Sequence, residues 1–528
     1  MTTELQQRNE AFRAFLHTLN PAQREAVELV EGPVLVLAGP GTGKTQLLSA
    51  RIGNILLHTD ARPQNILCLT FTDAGASAMR QRLQQRIGAE AQRVPIFTFH
   101  AFCNRVIQEN AEYFAKGNPE PVTELERIEI VRGILSRLST DHPLRAGKKD
   151  VFLFEEHLRD LFSTMKKEGW TPGHILKQAN DFLNALPENP AFIYQRNSKN
   201  FKKGDPKTAQ ITEVREKIER LCAAADLFPN YQHAMERAAR YEYEDMLLWV
   251  IRAFEKHEAL LRSYQERYQY ILVDEFQDTN GAQFQLLNLL LDFWEVPNIF
   301  IVGDDDQSIY EFQGARLQNL RAFQLRYQQG LKTIVLEENY RSTQAILDTA
   351  SQVISNNLLR VVNLFGQDMT KQLRSAMDAA KQASMPLPII LSLPNRLQEN
   401  VFVVQQIEEL IEVGVQPSEI AVLYARHRQA ERLLSLLEKK GIPYQTKRPI
   451  NVLDLPTIRQ LRALLSYLQE ESVRPFSGEN RLFKLLHAAF WGLSELDLAK
   501  IALACQTETG VSGGDSEERY LQIGKRSA

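Results

Sequence analysis

The first 115 residues alternate short apolar runs with stretches of helical periodicity. Pro33–Ala38 (PVLVLA), Asn65–Thr70 (NILCLT) and Val94–Phe99 are continuous apolar runs of strand length. Thr45–Leu57 repeats its apolar positions at helical spacing. Strands apolar on both faces, alternating with helices, predict a parallel sheet covered on both sides. From about Lys116 to Arg240 the pattern becomes mostly helical, with polar breaks. Strand character then returns at Tyr270–Val273 (YILV), Ile299–Val302 (IFIV) and Thr333–Leu336 (TIVL). The pattern predicts one sheet domain interrupted by a helical insertion. A further α/β unit is expected, with strands at Pro388–Leu393 and Glu419–Tyr424. Its helix, Arg426–Lys440, is predicted to end on Gly441. Beyond about Glu470 the chain reads as helical, with a Gly/Ser-rich tail (GVSGGDSEE).

Length and composition narrow the class. A chain of 528 residues suggests three or four units at about 150 residues each. The formal net charge is only −3, so any nucleic-acid partner needs a local basic or aromatic groove. The break Arg196–Lys207 (RNSKNFKKGDPK) is basic, and reads either as a solvated loop or as a DNA-contacting one. Cys68, Cys103, Cys222 and Cys505 are scattered with no metal-ligand spacing, which argues against a disulfide or zinc framework. The start, MTTELQQRNE, lacks the basic-then-apolar order of a secretory signal. No apolar run approaches the roughly 18 residues that span a bilayer, so the cytoplasm is the expected location.

Residues 38–45 read AGPGTGKT, after a predicted strand and opening a predicted helix. That is the context of a P-loop. Gly39, Gly41 and Gly43 let the backbone turn its N–H groups toward phosphate oxygens, and the helix start adds a positive end. With Ala38, Pro40 and Thr42 they form the cradle. Lys44 is placed to reach the β- and γ-phosphates, and the Thr45 hydroxyl to ligate Mg²⁺. Ala38 stands where the general pattern has glycine.

Three later strands end in polar clusters, where open α/β sheets bind ligands. In YILVDEFQDTN, Asp274 is a candidate Mg²⁺ ligand and Glu275 a candidate base for the attacking water. A solvated strand end would explain an acidic pair taken alone. In VGDDDQSIY, Gln307 is a candidate γ-phosphate sensor, the alternative being a turn before the next helix. In LEENYRST, Arg341 is a candidate for stabilising transition-state charge; taken alone it reads as an ion-pair residue.

AGPGTGKT, TFTDAGASAMRQRL, TFHAFC, ILVDEFQDTN, VGDDDQSIY and LEENYRST occur in that order. The series resembles the ordered motifs of the superfamily 1 UvrD/PcrA/Rep helicases, and the resemblance runs from about Leu19 to Leu468. It implies two RecA-like α/β domains, each carrying a helical insertion. The first, 1A, would be residues 1–115 and 241–335, with insertion 1B at 116–240. The first part of 2A would be residues 336–472, followed by the start of insertion 2B at 473–528. It further implies ATP hydrolysis with Mg²⁺, coupled to movement on single-stranded DNA or at duplex junctions. Polarity would be 3′-to-5′, in repair or recombination.

Carried over by residue, Gln23 in LNPAQREAV matches the glutamine that reads the adenine edge, and Tyr340 the tyrosine that stacks on it. Gln46 stands where the family often has an arginine on the other adenine face, which implies a weaker clamp. Phe71, His100, Tyr310 and Phe312 match positions that contact single-stranded DNA. Aromatic stacking is worth about 1–3 kcal/mol per base and tolerates any sequence; it does not distinguish sugars, so RNA stays open. Gln313 replaces a common arginine, which implies a weaker salt dependence of binding.

Two later motifs of the family, resembling TxHxxKGLE and YVAxTRA, do not occur in these 528 residues. The segment Asn480–Lys500 resembles the start of 2B. The expectation is a C-terminally incomplete motor that binds nucleotide and DNA but turns over slowly with DNA. Alternatives are a non-motor, ATP-gated DNA-binding protein, or the motor part of a helicase–nuclease.

Overall fold

A computed structural model describes residues 2–114, 119–145, 150–197, 201–309, 317–357, 371–446, 452–475, 477, 479–488 and 491–509. Ten short strands occur among them: β1 (Val34–Ala38), β2 (Ile66–Thr70), β3 (Ile96–Thr98), β4 (Glu120–Pro121), β5 (Arg240–Tyr241), β6 (Tyr270–Val273), β7 (Asn298–Gly303), β8 (Lys332–Leu336), β9 (Glu338–Asn339) and β10 (Arg374–Ser375). Six of these form one sheet in the order β3-β2-β6-β7-β1-β8. Every pairing in it is parallel, with Leu35 opposite both Ile301 and Thr333, and Leu67 opposite Ile271.

The alternation of side chains along each strand explains why both faces are apolar. Leu35 and Leu37 of β1 enter one core with Phe99, Phe102, Leu247, Ile251 and Leu286. Val34, Val36 and Ala38 point the other way, toward Phe12, Leu48, Ile52 and Met79. Such strands lack a polar face and must be covered twice. Helices Lys44–His58 and Asp73–Ile87 cover one side; Phe99–Glu109, Tyr243–Lys256 and Gly281–Leu291 cover the other.

Between β4 and β5, which pair in parallel, the described residues form five α-helices, from Glu124–Ser136 to Phe228–Arg237. They build their own core around Phe162, Met165, Phe228 and Tyr231. Here the helical reading of the segment matches the structure. The basic break closes on itself: the rings of Tyr194 and Phe201 stack at 4.2 Å, and Lys207 Nζ donates to the Ala191 carbonyl at 2.9 Å.

The chain divides into two compact units, Met1–Ile389 and Ile390–Ala528. In the second, Arg396–Glu412 packs on His427–Lys440 through Val404, Ile407, Leu433 and Leu437. Gly441 closes the latter helix in the left-handed conformation, as its position predicts. The strands expected at Pro388–Leu393 and Glu419–Tyr424 do not form. Apolar residues there stand exposed, Ile390 at 91% and Leu423 at 95%, and neither run has a ladder partner among the described residues. A strand exists only by pairing, so apolar sequence alone does not make one. No described helix is long and apolar enough to cross a membrane.

Candidate functional site

Because all six strands run parallel, their carboxyl ends share one edge. That edge carries the turns after Ala38, Thr70, Thr98, Val273, Gly303 and Leu336. The loop after β1 turns through Gly41 (φ 70°) and Gly43 (φ 88°), both left-handed, before the helix starts at Lys44. A side chain at Gly41 would also collide with Asn339 and Arg341, at 2.7 and 2.8 Å. Thr42 is fully buried, and its hydroxyl donates to the Gly39 carbonyl at 2.8 Å, closing the loop from inside.

β6 lies one strand beyond β7 from β1. Its end therefore faces the loop. Asp274 continues the ladder, donating its N–H to the Leu69 carbonyl at 2.9 Å. Glu275 then adopts a left-handed conformation (φ 48°, ψ 46°), uncommon for a residue with a Cβ. The Asp274 carboxylate accepts the Glu275 N–H at 3.0 Å and holds this turn. The result places Glu275 Oε2 2.6 Å from Lys44 Nζ. Burial, reinforced by the Glu275 charge, pushes the Asp274 carboxyl up to about 6. Asp278 is raised to about 6 for the same reasons in the same order. Crowded, desolvated carboxylates beside one ammonium suit a second cation. Thr45, on the first turn of the helix after the P-loop, and Asp274, after β6, both lie at this sheet edge.

β7 delivers Asp304, Asp305 and Asp306, followed by Gln307, whose Nε2 donates to Asp304 Oδ2 at 2.5 Å. Gln277 joins the two strand ends. Its Nε2 donates to Glu275 Oε2 at 2.9 Å, and its Oε1 accepts the Asp304 N–H at 3.0 Å. Lys371 reaches the triad from far along the chain and ion-pairs with all three aspartates. Burial alone would lower its pKa, but the three carboxylates raise it above the usual lysine value.

After β8, the Tyr340 N–H donates to the Gly41 carbonyl at 2.9 Å. Asn339 Nδ2 donates to the Pro40 carbonyl, while its Oδ1 accepts the N–H groups of Arg341 and Ser342 at 2.8 and 2.7 Å. Gln23 belongs to the capping box that starts Pro21–Glu28, and its Nε2 donates to the Thr42 carbonyl at 2.9 Å. Asn20 Nδ2 donates to the Tyr340 hydroxyl at 3.0 Å, bringing Tyr340 beside the same turn.

The model of the UvrD/REP helicase N-terminal domain matches residues 19–328, well over half of the chain. The chain belongs to the UvrD/PcrA/Rep-like helicases. The UvrD-like helicase C-terminal domain matches residues 334–474. The ATP-dependent DNA helicase PcrA of Staphylococcus epidermidis is 30% identical over 515 residues, covering 97% of this chain and 62% of that protein. PcrA of Staphylococcus aureus is 29% identical over 458 residues, covering 86% of this chain and 54% of that protein. The chain thus spans less than two thirds of the length of either relative.

In this UvrD-like chain, Gln23, residues 38–45, Asp274, Glu275, Gln307, Tyr340 and Arg341 all lie along one sheet edge. Lys44, Glu275, Asp304 and Gln307 are linked through Gln277, and Gln23 and Tyr340 meet the P-loop turn. Gln46 lies on the first turn of the helix and is partly buried. Arg341 is exposed. Phe71 follows β2 and His100 follows β3, farther along the same edge. Tyr310, Phe312 and Gln313 lie outside the described residues. Sequence reasoning missed Gln277, Asn339 and Lys371. The first two sit inside motifs already singled out, so their place beside Glu275 and Tyr340 was a usable signal. Lys371 had none.

Proposed function

We propose that the chain forms the nucleotide site and part of the DNA track of an ATP-dependent DNA helicase, with the domain boundaries anticipated above: 1A interrupted by 1B, then the first part of 2A and the start of 2B. The observation that carries the reading is the 2.6 Å pair between Lys44 and Glu275, which brings a phosphate-binding ammonium and a candidate base together across two strand ends. Family membership and the similarity to the PcrA helicases support it.

In this reading Lys44 leaves Glu275 to meet the β- and γ-phosphates, together with the P-loop N–H groups. Release frees Glu275 Oε2 to accept a proton from water, whose oxygen attacks the γ-phosphorus in line as the bond to ADP breaks. Mg²⁺, held by Thr45 and Asp274, would supply charge neutralisation on the phosphate oxygens when bound. Gln307 orients toward the γ-phosphate, and Arg341 offsets charge that develops there. Gln23 and Tyr340 bind the adenine edge and face, with Gln46 giving a weak second face. Phe71 and His100, with Tyr310 and Phe312, stack against single-stranded DNA. Polarity 3′-to-5′, action at duplex junctions in repair or recombination, and a cytoplasmic location complete the proposal.

Phosphate release from ATP, measured on the 528-residue chain with Mg²⁺, tests it. Slow hydrolysis that disappears in both K44A and E275Q is expected. Equal release from wild type and K44A would remove the reading.

A further inference from the structure

Three consecutive carboxylates at the end of β7 are met by one ammonium. Lys371 Nζ lies 3.2 Å from Asp305 Oδ1 and 2.9 Å from Asp306 Oδ2, and also pairs with Asp304 Oδ1. The side chain of Lys371 is 2% exposed, and those of Asp304 and Asp305 are 0% exposed. This is not a surface ion pair, and removing Lys371 would take a counter-charge from buried carboxylates.

The pair sits at the end of an unbroken path. Lys44 meets Glu275 at 2.6 Å, and Glu275 accepts from Gln277 at 2.9 Å. Gln277 accepts from the Asp304 N–H at 3.0 Å. The two oxygens of Asp304 are then divided: Oδ2 takes Gln307 and Oδ1 takes Lys371. Two residues on, Leu373 covers the P-loop itself, since a Cβ on Gly39 would lie 2.7 Å from Leu373 Cδ2. One short segment, within the stretch matched by the C-terminal family model, therefore touches both the P-loop and the sensor turn, which lie in the stretch matched by the N-terminal one.

We propose that Lys371 is a positioning residue for the γ-phosphate sensor: it offsets part of the charge of the aspartate triad and fixes Asp304, so that Gln307 is set and a triphosphate is preferred over a diphosphate. The inference rests on the nucleotide reading given above. A triphosphate brings one more charged phosphoryl group toward this edge than a diphosphate does. Without Lys371, the uncompensated carboxylates repel the triphosphate more. A lysine that served only packing would weaken both nucleotides alike.

The test is equilibrium binding of mant-ADP and mant-AMPPNP with Mg²⁺ to the full chain, followed by mant fluorescence. In K371M, AMPPNP binding is expected to weaken at least fivefold while ADP stays within twofold. K371R keeps the charge and should hold the ratio within twofold of wild type. If thermal melting shows that K371M does not fold, K371M/D306N removes one of the opposing charges, and the ratio should still fall at least threefold. Parallel weakening of both nucleotides, no change in either, or the same loss in K371R would overturn the proposal. Wild-type chain that binds neither nucleotide would overturn the nucleotide reading as well, and would show it without any variant.

Discussion

The Lys44–Glu275 pair makes a prediction that runs against the usual effect of removing a catalytic carboxylate. Lys44 is held by Glu275 at 2.6 Å. Nucleotide must break that contact before the ammonium can serve phosphate. Substituting E275Q keeps an acceptor of the same shape but removes its charge. Charge-assisted hydrogen bonds contribute about 1.5–3 kcal/mol, against about 1 kcal/mol for neutral ones. The side chains are 11% and 34% exposed, so solvent screens part of the difference. A net change of about 0.5–1.5 kcal/mol remains after that discount, or roughly 2- to 12-fold in affinity at 1.4 kcal/mol per decade. Loss of a negative charge beside the triphosphate acts in the same direction. E275Q should therefore bind mant-AMPPNP more tightly than wild type while hydrolysing ATP at least about 100-fold more slowly. Titration by fluorescence gives the first quantity and single-turnover hydrolysis the second. Unchanged or weaker binding would refute the idea that Glu275 holds Lys44 in reserve.

Other residues offer independent checks. Gln23→Ala removes a buried side chain bonded to the Thr42 carbonyl; ATP affinity should fall about 5- to 30-fold, from one or two lost hydrogen bonds, while GTP affinity moves less than threefold in the same titration. Lys166 of the helix Glu155–Glu168, 1% exposed, pairs with Glu242 and Asp245 at the start of Tyr243–Lys256, at 2.6 and 2.7 Å. Lys166→Met should lower stability in urea by about 3–5 kcal/mol, because buried Asp245 loses its cation and Glu242 keeps only Arg127; a loss under 1 kcal/mol would count against that assignment. Burial lowers the His100 pKa below its usual value, with Glu244 and Asp73 opposing. The unfolded chain then binds a proton below about pH 6.5 that the folded chain resists, so stability falls as pH drops through that range. His100→Gln should flatten the decline of the urea midpoint between pH 7.5 and 5.5, and an unchanged slope would show that other groups carry it.

What the sequence made legible followed from rules that act locally. The glycines of the P-loop announced a left-handed turn, and Gly41 and Gly43 take it. Continuous apolar runs announced doubly covered parallel strands, and in such a sheet every carboxyl end lies on one edge. That geometry alone brings Lys44, Asp274 and Gln307 to the same place. What remained hidden depends on partners distant in sequence. Pro388–Leu393 and Glu419–Tyr424 carry strand-like residues, yet pairing decides whether a strand exists. Lys371 looks like any solvated lysine in DMTKQLRS, and only the fold reveals it buried among three aspartates. Glu275 was legible as an acid but not as the partner of Lys44, because that contact spans 231 residues of chain.

The central claim is that Lys44 exchanges Glu275 for nucleotide phosphates. Equilibrium binding of mant-AMPPNP to wild-type and K44A chains, with Mg²⁺ present, tests it most directly. The account predicts saturable one-to-one binding by wild type and at least a tenfold weaker affinity in K44A, as expected for loss of a charged hydrogen bond of about 1.5–3 kcal/mol. Equal affinity in the two proteins would contradict it.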